Sequence, residues 1–536
     1  MSAPPAPCLA APPRWLTPVL LAVAALVYLP TLRGGFLGDD FVYIARFREL
    51  PWSGWPALFL RDWSGGVWGE PLRELRPFAA LAFMSDAKLF GGWAPGYRLT
   101  NLALHLIATA AVVRLAWRYV LVAAGPTGAT AAAATAGLAF ALHPAHAEAV
   151  VWITGRVDLI ATAAALIFWL GAESYADHGS CRCAGIAAGG FFVGIFAKEF
   201  VMFAPFLLLL RWTLLSFRAP REVWLRRARI FAIILLILAG YATARRMAFG
   251  SDGIGHNLWT DVPAWNRQAA HFGWFLPLLP PTGRLEWARP PSIAVLHAVW
   301  LGLAALTAGG LIFALRRGAR LAAAALFFGG VWYFITVFPL TAVVYFSPRH
   351  LYFPTVGLAL AAGFLAAAAG RARLIAAGAV ALWFAAALGP AAIPWVRASR
   401  ISASMLATLD ADLQRAPAGS LALTAIPETL DSIWFGAWSS PSCYGAPFLA
   451  TDLPTGRVIE RPVNYIHTDT WLADRRPVES LRAAPGAVAL HVTTAGDITH
   501  RIVTPPELSA AADRLEASGV NEASWDALVR SLSARP

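Results

Sequence analysis

Apolar runs recur along the first three quarters of the chain, most of them near the ~20 residues that carry an α-helix across a ~30 Å hydrocarbon core. They cover residues 15–32, 99–121, 127–142, 158–176, 183–197, 200–217, 229–245, 293–315, 320–345, 351–369 and 373–393. This pattern predicts an all-α polytopic membrane domain of about eleven transmembrane helices. The third and fifth runs are short and alanine-rich, which burial among neighbouring helices or a tilted path accommodates. Residues 268–281 are apolar but short and end in Pro280-Pro281. A crossing there would turn Arg316, Arg317 and Arg320 outward, so the stretch reads as interfacial or re-entrant. After residue 392 the pattern breaks. Strand-like runs at 457–467 and 487–494, then helical periodicity over 506–533, predict a small soluble α+β domain. The expected division is a membrane domain over 1–392, with a long first outer loop at 33–98, and an extracytoplasmic domain over 393–536.

Composition agrees with the pattern. The 536 residues are 58% hydrophobic and 14% charged, with a mean hydropathy of +0.57; a soluble protein carries about 25% charged residues. A net charge of +12 would suit nucleic acid if the arginines shared one soluble face, but they crowd into short loops between spans. Arg218, Arg221, Arg226, Arg227 and Arg229 mark one such loop, Arg316, Arg317 and Arg320 a second, and Arg371 with Arg373 a third. The positive-inside bias puts all three in the cytoplasm. Counting outward, the N-terminus is cytoplasmic, while Asp39, His143, Lys198, Arg245, Arg349 and the C-terminal domain lie outside. The first run follows Arg14 and ends in Tyr28-Leu29-Pro30-Thr31-Leu32 without a small-residue cleavage site, so it reads as a retained signal anchor. Cys8, Cys181, Cys183 and Cys443 are too scattered for a disulfide framework and read as unpaired thiols.

Ionisable residues gather where spans meet the outer face. Asp39-Asp40 follows the first span, a place where one carboxyl of a pair is raised by the apolar surroundings and suits a general base or a metal ligand. The same loop carries Trp52, Trp55, Trp63, Trp68 and Trp93, suited to headgroup anchoring or to stacking on sugar rings. His143, His146 and Glu148 lie between two spans at a spacing that suits either a common centre on a helix or interhelical hydrogen bonding. Lys198-Glu199 and Arg349-His350 stand at other outer span ends, and arginine there suits a phosphate, because its planar fork donates paired hydrogen bonds and stays charged.

In their order these segments resemble the GT-C class of membrane glycosyltransferases, and most closely the TMTC group, the tetratricopeptide-containing transmembrane O-mannosyltransferases and their bacterial relatives. The resemblance rests on Asp39-Asp40, on Arg76-Pro77, on Tyr97-Arg98-Leu99-Thr100-Asn101-Leu102-Ala103-Leu104-His105, and on His143-Pro144-Ala145-His146-Ala147-Glu148-Ala149-Val150 with Gly155-Arg156-Val157-Asp158. It continues through Ala197-Lys198-Glu199 and Arg349-His350-Leu351-Tyr352-Phe353-Pro354-Thr355-Val356-Gly357. It implies an enzyme of the bacterial cytoplasmic membrane that takes a sugar from a polyprenyl phosphate at the outer face. The transfer would be inverting, with Asp39, or second to it Asp40, as base. Arg349, with Arg245 or Arg246, would hold the lipid phosphate. Lys198, Glu199, His143, His146 and Glu148, with Arg156, His350 and Tyr352 of the matched motifs, would shape the substrate site. No cofactor is implied with certainty, a divalent metal is left open, no nucleic acid is involved, and the acceptor is a protein, lipid or polysaccharide. Two departures stand out: Arg98 occupies a position where the family usually has histidine, and no 34-residue repeat follows the last span. A transporter, or a non-catalytic scaffold for envelope polysaccharide assembly, would share the polytopic pattern; a transporter usually places its charges near mid-membrane between repeated halves.

Overall fold

The computed structural model describes residues 11–67, 72–250, 293–337, 347–431, 433–436, 440–451, 453, 457–460 and 476–534. The stretch 268–281, Trp68, the end of the 320–345 run and most of 457–467 lie outside the described residues.

Within them each apolar run becomes a helix. The order is α1 (Leu16–Tyr28), α2 (Asp40–Glu49), α3 (Pro77–Phe90), α4 (Ala94–Ala141), α5 (His146–Val151), α6 (Arg156–His178), α7 (Cys181–Ile195), α8 (Phe203–Leu215), α9 (Arg221–Phe249) and α10 (Ile293–Arg316). There follow α11 (Arg320–Val337), α12 (Pro354–Ala368) and α13 (Arg373–Arg415). By length and apolar composition Ala94–Ala141, Ile153–His178, Arg320–Val337 and Ala377–Arg415 are long enough to cross a membrane, and Leu16–Leu32, Cys181–Ile195, Leu301–Arg316 and Pro354–Ala368 are shorter apolar helices. The chain is therefore a polytopic helical protein, closed by a small domain of strands and helices.

Two runs, 99–121 and 127–142, share α4. Gly125 there takes φ 66° and ψ −177° before Pro126, a backbone that suits glycine, and Pro126, lacking an N–H to bond back to the first arm, opens the second. The chain doubles back at this point, so His105 near one end lies 3.1 Å from the carbonyl of Ala141 at the other. Small residues let the arms and their neighbours approach closely, the usual device where lipid offers no hydrophobic drive between helices. A Cβ on Gly363 of α12 would lie 2.6 Å from the carbonyl of Ala132 in α4, and one on Gly190 of α7 would lie 2.6 Å from the backbone nitrogen of Phe168 in α6.

Helix α13 continues unbroken past residue 393 to Arg415 and delivers the chain to the C-terminal strands β1 (Leu421–Ala425), β2 (Thr429–Leu430), β3 (Ile433–Trp434), β4 (Val458–Glu460), β5 (Ala487–Val492) and β6 (Ile498–Val503). Four of them form one sheet in the order β4-β1-β5-β6, parallel except for β6. Every residue of β1 and β5 is buried, as expected of central strands covered on both faces. Helices α14 (Arg476–Ala483), α15 (Pro505–Ser518) and α16 (Glu522–Ser533) complete the domain. Trp525 of α16, fully buried, donates its indole N–H to the carbonyl of Thr424 at 3.1 Å. Cys181 is exposed and Cys183 half-buried, both as free thiols, and Cys443 is buried.

Gly189, beside Gly190, would place a Cβ in open space. Gly190→Ala should therefore destabilise the α6–α7 pair by about 1–3 kcal/mol, as overpacking does, while Gly189→Ala should leave stability unchanged or slightly raised. Thermal unfolding of the detergent-purified variants checks the contrast; equal midpoints would contradict the close approach.

Candidate active site

The loop that carries the two aspartates is fixed by glycine. Gly34 sits at φ 138°, and a Cβ there would fall 2.1 Å from the hydroxyl of Ser399 on α13. Gly35 N–H donates to the carbonyl of Ser399 at 2.8 Å, and Gly38 N–H to that of Phe435 at 3.3 Å. Arg98, 1% exposed, grips the loop from α4: it donates to the carbonyls of Gly34 at 2.9 Å and Val151 at 3.1 Å, and to that of Gly35. From the C-terminal domain Phe448 packs edge-on against Phe36 and Phe41, with ring centroids at 5.1 and 4.9 Å.

This frame separates the two carboxylates. Asp40 is fully buried; it accepts from the Leu37 N–H at 3.0 Å, the Thr154 N–H at 2.9 Å and the Thr154 hydroxyl at 2.7 Å. Asp39 keeps part of its surface open. Burial pushes the Asp39 carboxyl up to about 6, opposed by the charge of Arg349 and reinforced by that of Asp40. Burial also lifts Asp40 to about 6 against the hydrogen bonds from Thr154 and Leu37.

Around Asp39 lie groups from segments far apart in sequence. Arg349 stands 3.8 Å from Glu148 of α5 and 3.9 Å from Asp158 of α6, with its guanidinium 4.7 Å from the centre of the Trp152 ring. Lys198 pairs with Asp158 at 2.7 Å. Ser347 donates its hydroxyl to Glu148, and the Arg349 N–H donates to the same carboxylate at 3.3 Å. Burial raises Glu148 and lowers Lys198, each opposed by its partner, Arg349 and Asp158 respectively. Side chains of Lys198 and Arg349 stay 16% and 13% exposed, and the charge of Arg349 acts on Asp39. A second group adjoins: Glu199 lies 3.3 Å from Arg245 and 3.7 Å from Arg76, and Arg76 pairs with Glu74 at 2.6 Å.

The remaining sequence candidates are placed differently. His146 is within 2.7 Å of the Thr355 hydroxyl, His105 is within 2.7 Å of the Tyr352 hydroxyl, and the His146 and Tyr352 rings lie 4.4 Å apart. With His143, also buried, they form an aromatic core between α4, α5 and α12. His350 is buried and Arg246 is exposed on α9. Arg156 has no exposed surface: it pairs with Asp86 at 2.8 Å and donates to the carbonyls of Tyr97 and Ile153, each at 3.2 Å. Trp63 is buried against Tyr43, whereas Trp52 and Trp93 are 53% exposed. Among the described residues no three or more His, Cys, Asp or Glu side chains are grouped to hold a metal ion, and Asp40 already accepts three hydrogen bonds. Residues that sequence reasoning left without a role here are Thr154, Ser347, Phe448 and Asp158; the last stood in the Gly155-Arg156-Val157-Asp158 motif with no role assigned.

As chemistry, the arrangement offers a partly open carboxylate raised by burial to about 6 beside the Arg349 guanidinium, with Lys198 held near that guanidinium through Asp158. If Arg156 is a strut, Arg156→Met should cost about 3–5 kcal/mol by stranding Asp86, and Arg156→Met/Asp86→Asn should recover part of it. Thermal unfolding of the two variants decides; a fully stable Arg156→Met would contradict the role.

No family model matches the chain. Among curated proteins it is 36% identical to protein O-mannosyl-transferase Tmtc2 of Drosophila melanogaster over 168 residues, 29% of this chain and 16% of that one. It is 34% identical to TMTC2 of Homo sapiens over 181 residues, 32% of this chain and 20% of that one. The chain thus spans about a fifth or less of the length of these relatives. Among solved structures, ArnT from Cupriavidus metallidurans bound to undecaprenyl phosphate aligns at 15% identity and a TM-score of 0.42, covering 88% of this chain and 92% of that one. Arabinosyltransferase EmbB from Mycobacterium smegmatis aligns at 16% identity and a TM-score of 0.30, covering 71% of this chain and 41% of that one. Over about a third of its own length, then, the sequence is similar to the TMTC protein O-mannosyl-transferases.

Proposed function

We propose that this protein is an inverting membrane glycosyltransferase that moves a sugar from a polyprenyl phosphate to an acceptor hydroxyl at the outer face of the cytoplasmic membrane. The observation that carries the reading is Asp39: partly open, raised to about 6 and next to Arg349, it is a base poised for proton abstraction beside a cation. The sequence similarity to protein O-mannosyl-transferases supports the reaction class and makes a protein hydroxyl the first acceptor to test.

In this mechanism the Asp39 carboxylate takes the proton of the acceptor hydroxyl as that oxygen attacks the anomeric carbon. The bond from that carbon to the lipid phosphate breaks, and its electron pair leaves with the phosphate. Arg349, helped by Lys198, offsets the charge that grows on the departing phosphate, in a setting poor in water where such an interaction counts most. Asp40 holds the turn from Leu37 to Thr154 and so aims Asp39. Glu148 and Asp158 keep Arg349 and Lys198 in place. Glu199, Arg76 and Arg245 form the adjoining wall, where Arg245 is the second candidate for contact with the phosphate.

A base must be ionised to act, so turnover should fall as pH drops through about 6 and stay flat above it until another group titrates. Asp39→Asn should lower transfer by about 10²–10⁴-fold with insertion and unfolding midpoint kept. Transfer measured with a purified polyprenyl-phosphate sugar, as a function of pH, tests both. Full turnover in Asp39→Asn, or an acid limb at the ordinary carboxylate value, would overturn the assignment.

A further inference from the structure

At the opposite end of the helices a second charged cleft, of 360 Å³, opens between α4, α6, α8, α9, α10 and α11. Its volume falls in the ~300–1,000 Å³ range of small-ligand sites. Helix α6 measures the separation: Asp158 belongs to the active site and Glu173 to this cleft, ~22 Å apart along the helix at its normal rise. Among the described residues Arg118, Arg211, Arg227 and Arg320 line the cleft, with Glu173 and Asp177 as the acids against them.

The acids are already spoken for. One Glu173 oxygen accepts from Arg211 at 2.5 Å, from the Tyr119 hydroxyl at 3.0 Å and from the Trp212 indole at 3.2 Å. Asp177 takes Arg118 at 2.7 Å. Positive charge is left over. Arg227 is 6% exposed, lies over the Trp212 and Trp224 rings at 4.9 and 4.6 Å, and donates to Ser216. Its Nε and that of Arg211 are buried without an acceptor among the described residues. Four guanidinium groups against two carboxylates leave the cleft with excess positive charge, which suits an anion with several acceptor oxygens. Arg320 adds an exposed guanidinium at the mouth, next to Leu315 and the 76%-exposed Val122. Charge inside and apolar side chains at the rim match a ligand that carries a phosphate on a hydrocarbon body.

We propose that this cleft binds the phosphate of an anionic lipid headgroup from the leaflet that the arginine-rich loops face, by the charge bias the cytoplasmic one. The site is separate from the sugar-transfer site and does not depend on the proposed reaction. Arginine suits the task because its fork donates in pairs to phosphate oxygens.

The test is native mass spectrometry and thermal unfolding of the full-length purified protein with dioleoyl phosphatidic acid, dioleoyl phosphatidylcholine or inorganic phosphate. Phosphatidic acid should be retained and raise the unfolding midpoint, with phosphatidylcholine and inorganic phosphate doing neither. Arg227→Gln should weaken retention by about tenfold, as loss of a charged hydrogen bond does. Arg320→Gln, at an exposed position that leaves the fold intact, should weaken it several-fold. Equal retention of phosphatidylcholine, or undiminished retention by a folded Arg320→Gln/Arg227→Gln variant, would overturn the site. Protection by inorganic phosphate equal to that by phosphatidic acid would overturn the lipid as its source.

Discussion

Hydrocarbon cannot solvate a charge, and this one constraint arranges the molecule. An ionised side chain within the membrane must reach an end of its helix or meet an opposite charge. Helix α6 does both: Asp158 at its start is answered by Lys198 and Arg349, and Glu173 toward its end by Arg211 and Arg118. Between them the helix is apolar and packed against α7 through Gly171 and Gly190. Two charged clusters at two ends, joined by a dry bundle, follow from that requirement. The second also holds more arginines than acids, which is what a site for an anionic headgroup needs.

The C-terminal domain takes part in the first cluster. Ser399 and Phe435 accept backbone hydrogen bonds from the Gly34–Gly38 loop, Phe448 packs on Phe36 and Phe41, and Trp395 stacks on Trp152 at 5.9 Å. Because α13 runs from the bundle into the domain without a break, the aspartate turn is clamped between membrane helices and the soluble sheet. A change in that sheet would be felt at Asp39 through backbone contacts, without any side chain of the domain touching a substrate.

Much of this was legible in the sequence. Run length gave the helices and arginine placement their orientation, and the break between the runs 99–121 and 127–142 anticipated two spans, which the structure joins at a turn on Gly125. The paired aspartates were visible as adjacent acids beyond a span, although only the fold distinguishes them, because the hydrogen bonds that bury Asp40 come from Thr154. The histidines show why motif spacing falls short. His143 and His146 read equally as ligands or as interhelical hydrogen-bonding groups, and the aromatic surroundings supplied by Phe140, Tyr352 and Phe384 decide how they sit. Ion pairs such as Lys198–Asp158 and Arg349–Glu148 join residues distant in the chain, so no local pattern announces them. The parallel pairing of β1 with β4 and β5 is hidden for the same reason.

The central claim is that the two charged clusters face opposite sides of the membrane. Native Cys181 is exposed at the end that carries Glu173, and Arg33, exposed just before the aspartate loop, marks the other. The direct measurement is labelling of an Arg33→Cys variant with a membrane-impermeant maleimide, before and after the membrane is breached. The account predicts that the introduced thiol reacts in intact cells and that Cys181 reacts only once the membrane is opened. Labelling of Cys181 from outside, or of both thiols from the same side, would contradict it.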